Sequence, residues 1–446
     1  MPSKDELKSK VCQEIDRRSE EIIGVAQAIL ESPEAGFREV KTSRLVAKKF
    51  AEMGIAYREG LAITGVKGVV LGSGDGPTVG VLGELDSLIV PDHPKADPQT
   101  GAAHACGHHA QIGMLIGVAA ALTGSGVLPF LEGRVAFMAV PAEEYIEIEF
   151  REGLRREGKL SYLGGKPELI KLGEFDDVDM AMMTHTGSIQ RGRVIGVGGG
   201  TSNGSVAKRV QFIGRGAHAG SAPHRGINAL NAAMIALSAI HAQRETFREV
   251  DTIRVHPIIT KGGEVVNAVP ADVRMETFVR GKTLEAIKDA NEKVDRAFRA
   301  GALAVGGKVR ITTLPGYLPL TSDSNLREVY RSNAVSLVGK RKVVPPSPGR
   351  HGTGSTDMGD VSHIMPAIHA FAGGATGTGH GSDYLIQDYQ LAVINPAKVM
   401  AMAVIDLLAD GAARGKEVLA KSKPRMTKQE YLASMESLLK EEEYEG

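Results

Sequence analysis

The 446-residue sequence predicts an α/β protein, with a central, mostly parallel sheet flanked by helices and an α+β domain inserted into it. Three observations carry that expectation. Apolar residues switch repeatedly between helical spacing and short β-branched runs, the alternation that builds parallel sheets with crossover helices. Aromatic residues make up only 4%, with no Trp, so the core rests on Val, Ile, Leu, Ala and Met, as in sheets buried on both faces. Between about Gly204 and Pro315 the order reads strand, helix, strand, strand, helix, strand, that of a ferredoxin-like unit large enough to fold as a domain.

From the N-terminus, Leu7, Val11, Ile15, Ile22, Ala26 and Ile29 recur at helical spacing, predicting one amphipathic helix over Asp5 to Leu30 that stops at Ser32-Pro33. Val40 to Met53 repeats the pattern and ends at Gly54. The runs 65–71 and 77–86 read as strands, the second ending on Glu84 and Asp86. A helix over 109–123 precedes a strand over 134–140, which stops at Pro141-Ala-Glu143-Glu144. A further strand over 177–183 leads to His185.

In the inserted unit, strands are expected over 205–213, 252–260, 271–279 and 308–313, with helices over 228–246 and 283–304. The glycine-rich segment 196–204 is a credible hinge. Afterwards 327–338 reads as helix, 345–357 as a polar loop, 367–373 as a strand, a loop carrying His380 follows, and 395–408 is a helix. The charged stretch 423–446, ending Glu441-Glu-Glu-Tyr-Glu, reads as a surface helix that frays. The division expected is a catalytic domain in two parts, 1–203 and 316–446, with a lid over 204–315.

Lys+Arg and Asp+Glu are equal at 53 each, so no overall field recruits nucleic acid or an anionic membrane. The most hydrophobic run, 112–122, is too short and too rich in Gly and Ala to span a bilayer. Cys12 and Cys106 cannot make a disulfide framework and form no Cys-x-x-Cys motif, which argues against a redox protein. The N-terminus opens on charged residues without an apolar leader, and a reducing cytoplasm is the expected location.

The chemistry concentrates in Gly101-Ala-Ala-His104-Ala-Cys106-Gly-His108-His109-Ala. Cys106 and His108 flank one glycine, a spacing that suits Zn²⁺, Mn²⁺, Co²⁺ or Ni²⁺. The alternative is a buried cysteine beside a helix-capping histidine. Glu143 and Glu144 stand at a strand's C-terminal end, where open α/β sheets place their chemistry, and one could bind metal while the other moves a proton. Alone, two adjacent glutamates are more often a solvated loop than a site. His185 and His380 follow later strands, and the recurrence of potential ligands at successive strand ends favours a metal site.

These residues resemble the M20 family of metallopeptidases and aminoacylases, specifically its amidohydrolase branch. Gly101 to Ala110 is similar to the branch's metal signature, Ser32-Pro-Glu-Ala-Gly-Phe-Arg-Glu39 to its N-terminal signature and Glu84-Leu-Asp86-Ser-Leu to its acidic strand end. Pro141-Ala-Glu-Glu144 looks like its glutamate pair, and Gly216-Ala-His218-Ala-Gly-Ser-Ala-Pro223 with Gly226-Ile-Asn-Ala like its lid motif. The resemblance implies a zinc-exopeptidase-like catalytic domain and a homodimer formed through the lid. It implies one or two divalent ions, Mn²⁺ or Zn²⁺ with Co²⁺ or Ni²⁺ as further options, on Cys106, His108, Glu144, His185 and His380. Glu143 is implied as general base, His218 of a partner subunit as oxyanion donor, and Asn267 and Arg280 as holders of a substrate carboxylate. For Arg280 a structural lid ion pair stands as the alternative.

The reaction implied is hydrolysis of a C–N bond, the amide of an N-acyl or aromatic-acyl amino acid. Three departures bear on the substrate. His109 stands where the branch carries Asp, replacing a carboxylate beside the metal by an imidazole. Bulky, acidic Tyr145-Ile-Glu-Ile-Glu-Phe150 replaces glycines, and either lines a tighter pocket or packs as a lengthened connection. Gly354-Ser-Thr-Asp357-Met-Gly-Asp360-Val-Ser resembles the p-aminobenzoyl-glutamate hydrolase subgroup, which points to an aromatic substrate. These leave open an aminohydrolase that releases ammonia from an aromatic amine such as a substituted aminobenzoate.

Overall fold

A computed structural model describes residues 2–187, 189, 192–346 and 349–446. Ser347 and Pro348 of the predicted 345–357 loop lie outside the described residues. Eight strands form the main sheet, in the order Ala56–Leu61, Gly65–Leu71, Glu132–Val140, Gly74–Glu84, Met180–Thr186, Ala367–Ala372, Ile195–Gly196, Val343–Val344. The centre is parallel, with Gly74–Glu84 between Glu132–Val140 and Met180–Thr186, while the first two strands run antiparallel. This arrangement brings the C-terminal ends of Gly74–Glu84, Glu132–Val140 and Met180–Thr186 to one edge, so that Glu84, Glu143 and His185 converge.

The helix His108–Gly124 is buried from its first turn to Leu122, and it packs against Ser19–Leu30 and Asn395–Leu408. An all-round apolar helix can only lie inside a core. Gly113 and Gly117 permit the close crossings, since a Cβ on either would come to 3.0 Å from Ala26, Val393 or Ala397 side chains. The apolar segment Gln390–Leu408, long enough for a membrane span by length and composition, is likewise enclosed by the core.

Three expectations are corrected. The predicted 5–30 helix is two helices, Lys4–Arg17 and Ser19–Leu30, broken at Arg18, which turns the chain so that both apolar faces meet the core. The predicted 252–260 strand is split into Arg254–Val255 and Ile258–Lys261 around His256-Pro257, where proline lacks the ladder donor. The C-terminal stretch is a surface helix, Lys428–Ser437, that buries only Tyr431 and Met435, and in place of a frayed end it continues into a strand, Lys440–Glu445.

That strand belongs to the lid. The lid sheet runs Arg254–Val255, Asp272–Gly281, Gly204–Ile213, Lys308–Pro315, Lys440–Glu445, with Ala229–Gln243 and Leu284–Val305 packed against it around Phe212, Val273, Val294 and Phe298. The acidic tail forms a strand because its partner is basic. Lys308 pairs with Glu445 at 2.9 Å, Arg310 with Glu443 at 2.7 Å, and Arg299 stacks on Tyr444 at 3.9 Å. Cross-strand opposite charges of this kind favour pairing over a helix of repelling glutamates. Tyr431 and Met435 anchor the preceding helix in the catalytic domain, and the Tyr431 hydroxyl donates to Asp360 Oδ1 at 3.0 Å.

Candidate metal centre

Asp86, just beyond the Gly74–Glu84 strand, organises two neighbours. His108 Nδ1–H donates to its carboxylate at 3.1 Å and its carbonyl at 3.0 Å, and its second carboxylate oxygen accepts the Glu144 N–H at 2.8 Å. With Nδ1 so held, His108 Nε2 is turned inward, 3.1 Å from Glu84 Oε2 and 4.0 Å from Glu143 Oε2. A carboxylate behind an imidazole in this way fixes a metal-binding tautomer. Gly107 makes the approach possible. Its φ is +86°, and a Cβ there would sit 2.1 Å from Thr186 Oγ1.

The glutamate pair is held by its backbone. Ala142 adopts φ +52°, and its N–H donates to the buried Glu39 at 2.8 Å, which gives the 32–39 signature its purpose. The fully buried Arg151 guanidinium donates to the carbonyls of Leu163 at 2.8 Å, Ala142 at 3.3 Å and Glu144, while the Tyr317 hydroxyl donates to the Glu143 carbonyl. The Tyr145–Phe150 segment is a packed connection. The buried Tyr145 ring lies edge-on to Phe278 and Tyr317 of the lid side, and its hydroxyl donates to Pro315 O at 2.8 Å. Ile148 opens the helix Ile148–Arg156.

All five ligands implied by the resemblance come together. Cys106, His108 and His185 form one group of donors and Cys106, Glu144 and His380 a second, each with all its ligand atoms within 4.8 Å of one another. Cys106 Sγ lies 3.3 Å from His185 Nε2, and His380 Nε2 lies 3.4 Å from Glu144 Oε1. His185 Nδ1 bonds to the Thr186 carbonyl at 2.5 Å, and burial together with His108 holds its pKa down at about 4, leaving a neutral ring with Nε2 inward. A third group, Glu84, His108 and Glu143, is wholly buried.

Two atoms of these groups, His108 Nε2 and Glu144 Oε1, have close charged neighbours but are buried without a hydrogen bond among the described residues. Burial, then Glu84 and Glu144, push the Glu143 carboxyl well above its usual range, and burial and Glu144 push up the Cys106 thiol. Orphaned ligand atoms and crowded carboxylates are what a divalent cation relieves, and a mixed sulfur, nitrogen and oxygen set suits a borderline transition ion. The residues fit the metal.

Sequence reasoning missed one set of neighbours. Lys166, without solvent exposure, reaches Glu84 Oε1 at 2.6 Å and the carboxylate of Asp357, whose Oδ2 also accepts the Lys166 N–H at 3.0 Å. Gln111 donates to Glu84 Oε2 at 2.7 Å. Burial alone would raise the Glu84 pKa, but Lys166, His108 and His185 override it and hold this carboxylate ionised. Asp357 had marked only a subgroup, and a lone lysine after two glycines carries no motif.

The lid candidates are placed differently. His218 and Asn267 are exposed on paired loops, joined by Ala219 N–H to Asn267 O at 2.9 Å. Among the described residues, no hydrogen bond or ion pair joins either side chain to the metal-ligand groups of its own chain. Arg280 lies over the Phe278 ring at 5.0 Å and feels the charges of Glu144 and Glu143, without an ion-pair partner among the described residues. Among the described residues, the alternative of a structural lid ion pair for Arg280 is not formed. His104 and His109 are buried with rings 5.2 Å apart, outside the three ligand groups, and His109 faces Tyr389.

A buried cluster of this composition at the strand ends of an α/β sheet is suited to hold divalent ions for hydrolysis. Residues 201–305 match the peptidase dimerisation domain of the M20 family. The chain is 27% identical over 422 residues to the mouse Xaa-Arg dipeptidase, covering 90% of this chain and 89% of that one. It is 25% identical over 360 residues to the IAA-amino acid hydrolase ILR1-like 4 of Arabidopsis thaliana, covering 79% and 77%. A dinuclear metal-binding M20 peptidase from Bacillus subtilis superposes with a TM-score of 0.62 at 21% identity, over 87% of this chain and 98% of that one. Along most of its length the chain is thus similar to metallopeptidases and amidohydrolases of the M20 family, hydrolases of carbon–nitrogen bonds, and residues 201–305 match that family's dimerisation domain.

Proposed function

We propose that this chain is an amidohydrolase cleaving the amide of an N-acyl or aromatic-acyl amino acid. The observation that carries the reading is the sharing of Cys106 by two donor triads with Glu143 beside them, an arrangement for two ions and one proton carrier. Zn²⁺ or Mn²⁺, with Co²⁺ or Ni²⁺ as options, would be held by Cys106, His108, Glu144, His185 and His380. When bound, such ions polarise a carbonyl oxygen and lower the pKa of water.

The chain's own residues supply the rest. Glu143 takes the proton of the attacking water and delivers it to the departing nitrogen. Arg151 and Tyr317, bonded to the carbonyls around it, keep its carboxylate on the reacting side. His218 Nδ1 accepts the N–H groups of Gly220 and Ser221, both at 3.1 Å, so a neutral ring carries its proton on the exposed Nε2. That N–H is suited to a developing oxyanion, contributed by His218 of the partner subunit in a homodimer. The exposed Met234, Ile235, Ile258 and Ile259 on the lid provide an apolar dimer face. Asn267 and Arg280 take the substrate carboxylate. A thiolate ligand and an unpaired Cys12 favour a reducing cytoplasm.

The test is the metal-loaded protein on N-acyl amino acids, p-aminobenzoyl-glutamate and aminobenzoates, scored for amine or ammonia. Glu143→Gln is expected to abolish turnover with metal content unchanged. Ammonia from a ring amine, with no amide cleaved, overturns the amide reading in favour of an aromatic aminohydrolase. Inactive His218→Ala and Glu143→Gln proteins should regain activity when mixed, and failure to do so removes the contribution across the dimer.

A further inference from the structure

Beside His185 lies a cavity of about 510 Å³. Two residues that line it, His369 and Phe371, also pack on the His185 ring, with centroids 5.6 and 6.2 Å away, so the cavity adjoins the metal-ligand cluster. Its apolar wall includes Leu320, Val344 and Phe371, and the Phe371 side is 39% exposed, unusual for a ring in a strand of the central sheet. Ser202 Oγ and His369 Nδ1, on two lining residues, are buried polar atoms without a hydrogen-bond partner among the described residues.

Charge is distributed unevenly. The cluster holds Glu84, Glu143 and Glu144. The described lining of the cavity contains no Asp or Glu, and its one guanidinium, Arg350, is exposed and has no side-chain hydrogen bond or ion pair among the described residues. The backbone of Arg350 is fixed, since its carbonyl accepts the Thr201 N–H, and the neighbouring His351 ring bonds to Thr201 Oγ1 at 2.8 Å and Asn203 Oδ1 at 2.8 Å. An anionic substituent within the cavity is therefore drawn to Arg350.

We propose that this cavity is the subsite for a flat, apolar acyl arm that ends in a carboxylate, with the Phe371 ring against the arm and Arg350 on its charge. The inference rests on the amidohydrolase reading of the adjoining cluster. With Arg280 on the amino-acid carboxylate, the preferred substrate carries an anion at each end.

The experiment compares N-benzoylglycine with N-(4-carboxybenzoyl)glycine on the metal-loaded enzyme and its Arg350→Gln variant. The parent is expected to favour the carboxylated substrate, and Arg350→Gln to lower kcat/KM for that substrate alone by about 10- to 100-fold, chiefly through KM. No preference in the parent, or an equal loss on both substrates, overturns the proposal. N-benzoylglutamate, whose second carboxylate lies on the amino-acid side, is the further arm, and a loss confined to it overturns the assignment to the acyl side. Calorimetric binding of benzene-1,4-dicarboxylate to Glu143→Gln, with and without Arg350→Gln, separates the two readings. If no amide is cleaved the hydrolase reading fails, yet weaker binding in the double variant still supports the subsite, and equal binding removes it.

Discussion

Lys166 Nζ stands 2.6 Å from Glu84 Oε1, with neither side chain exposed to solvent, and its other partner is the equally buried Asp357. One ammonium between two carboxylates balances part of the negative charge beside Glu143. Removing one member of such a set leaves uncompensated charge in a low dielectric. Lys166→Met is expected to destabilise the fold by about 3–5 kcal/mol, read by urea denaturation. A variant as stable as the parent removes Lys166 from this role.

The sharing of Cys106 predicts a graded metal assay. Cys106→Ala takes a donor from two groups, whereas His185→Ala and His380→Ala each take one from a single group. Elemental analysis should find the largest loss of bound metal in Cys106→Ala and a partial loss in either histidine variant. Equal content in all three contradicts the shared arrangement.

Glu39 makes stability depend on pH. Burial, then the charge of Asp86, pushes its pKa up to about 8, so the folded chain keeps a proton that the unfolded chain loses near the ordinary carboxylate value. Stability from this group is complete at acid pH and declines as pH rises from about 4.5 through about 8. Gln can accept from Ala142 N–H and donate to Thr64 Oγ1, the bonds available to a protonated Glu39. Denaturation of Glu39→Gln should lose this decline, and an unchanged slope assigns it elsewhere.

In the lid, Lys208 and Asp295 pair at 2.6 Å, yet burial lowers the lysine's pKa and raises the aspartate's. Both shifts say that desolvation outweighs the attraction. Lys208→Met alone should cost about 3–5 kcal/mol, and Lys208→Met with Asp295→Leu should recover most of it. Thermal melts of the two variants decide, and a double variant less stable than the single one contradicts the argument.

The strand ends were legible because each carries its signal within a few residues: a β-branched run, a stop, then Glu84, Glu143 or His185. Cys106 and His108 were legible for the same reason. Lys166 and Asp357 were not, being 191 residues apart with their contact made only by the fold. His109 drew attention as a substitution beside a ligand, but its ring turns to His104 and Tyr389, away from the ligand groups. The tail was misread because its glutamates find partners on Lys308, Arg310 and Arg299, which no local pattern links to them.

The lid sheet is closed along one edge by residues 440–445, made long after its other strands. During synthesis, therefore, the Lys308–Pro315 strand waits with its outer N–H and C=O groups unpaired while the second part of the catalytic domain is still being built. The basic residues along that strand are the kind of charge that keeps an open edge from recruiting a neighbouring chain. The same lysine and arginine that later receive the acidic segment would guard the edge until it arrives, so that completion of this sheet depends on a strand made more than 120 residues after its partner.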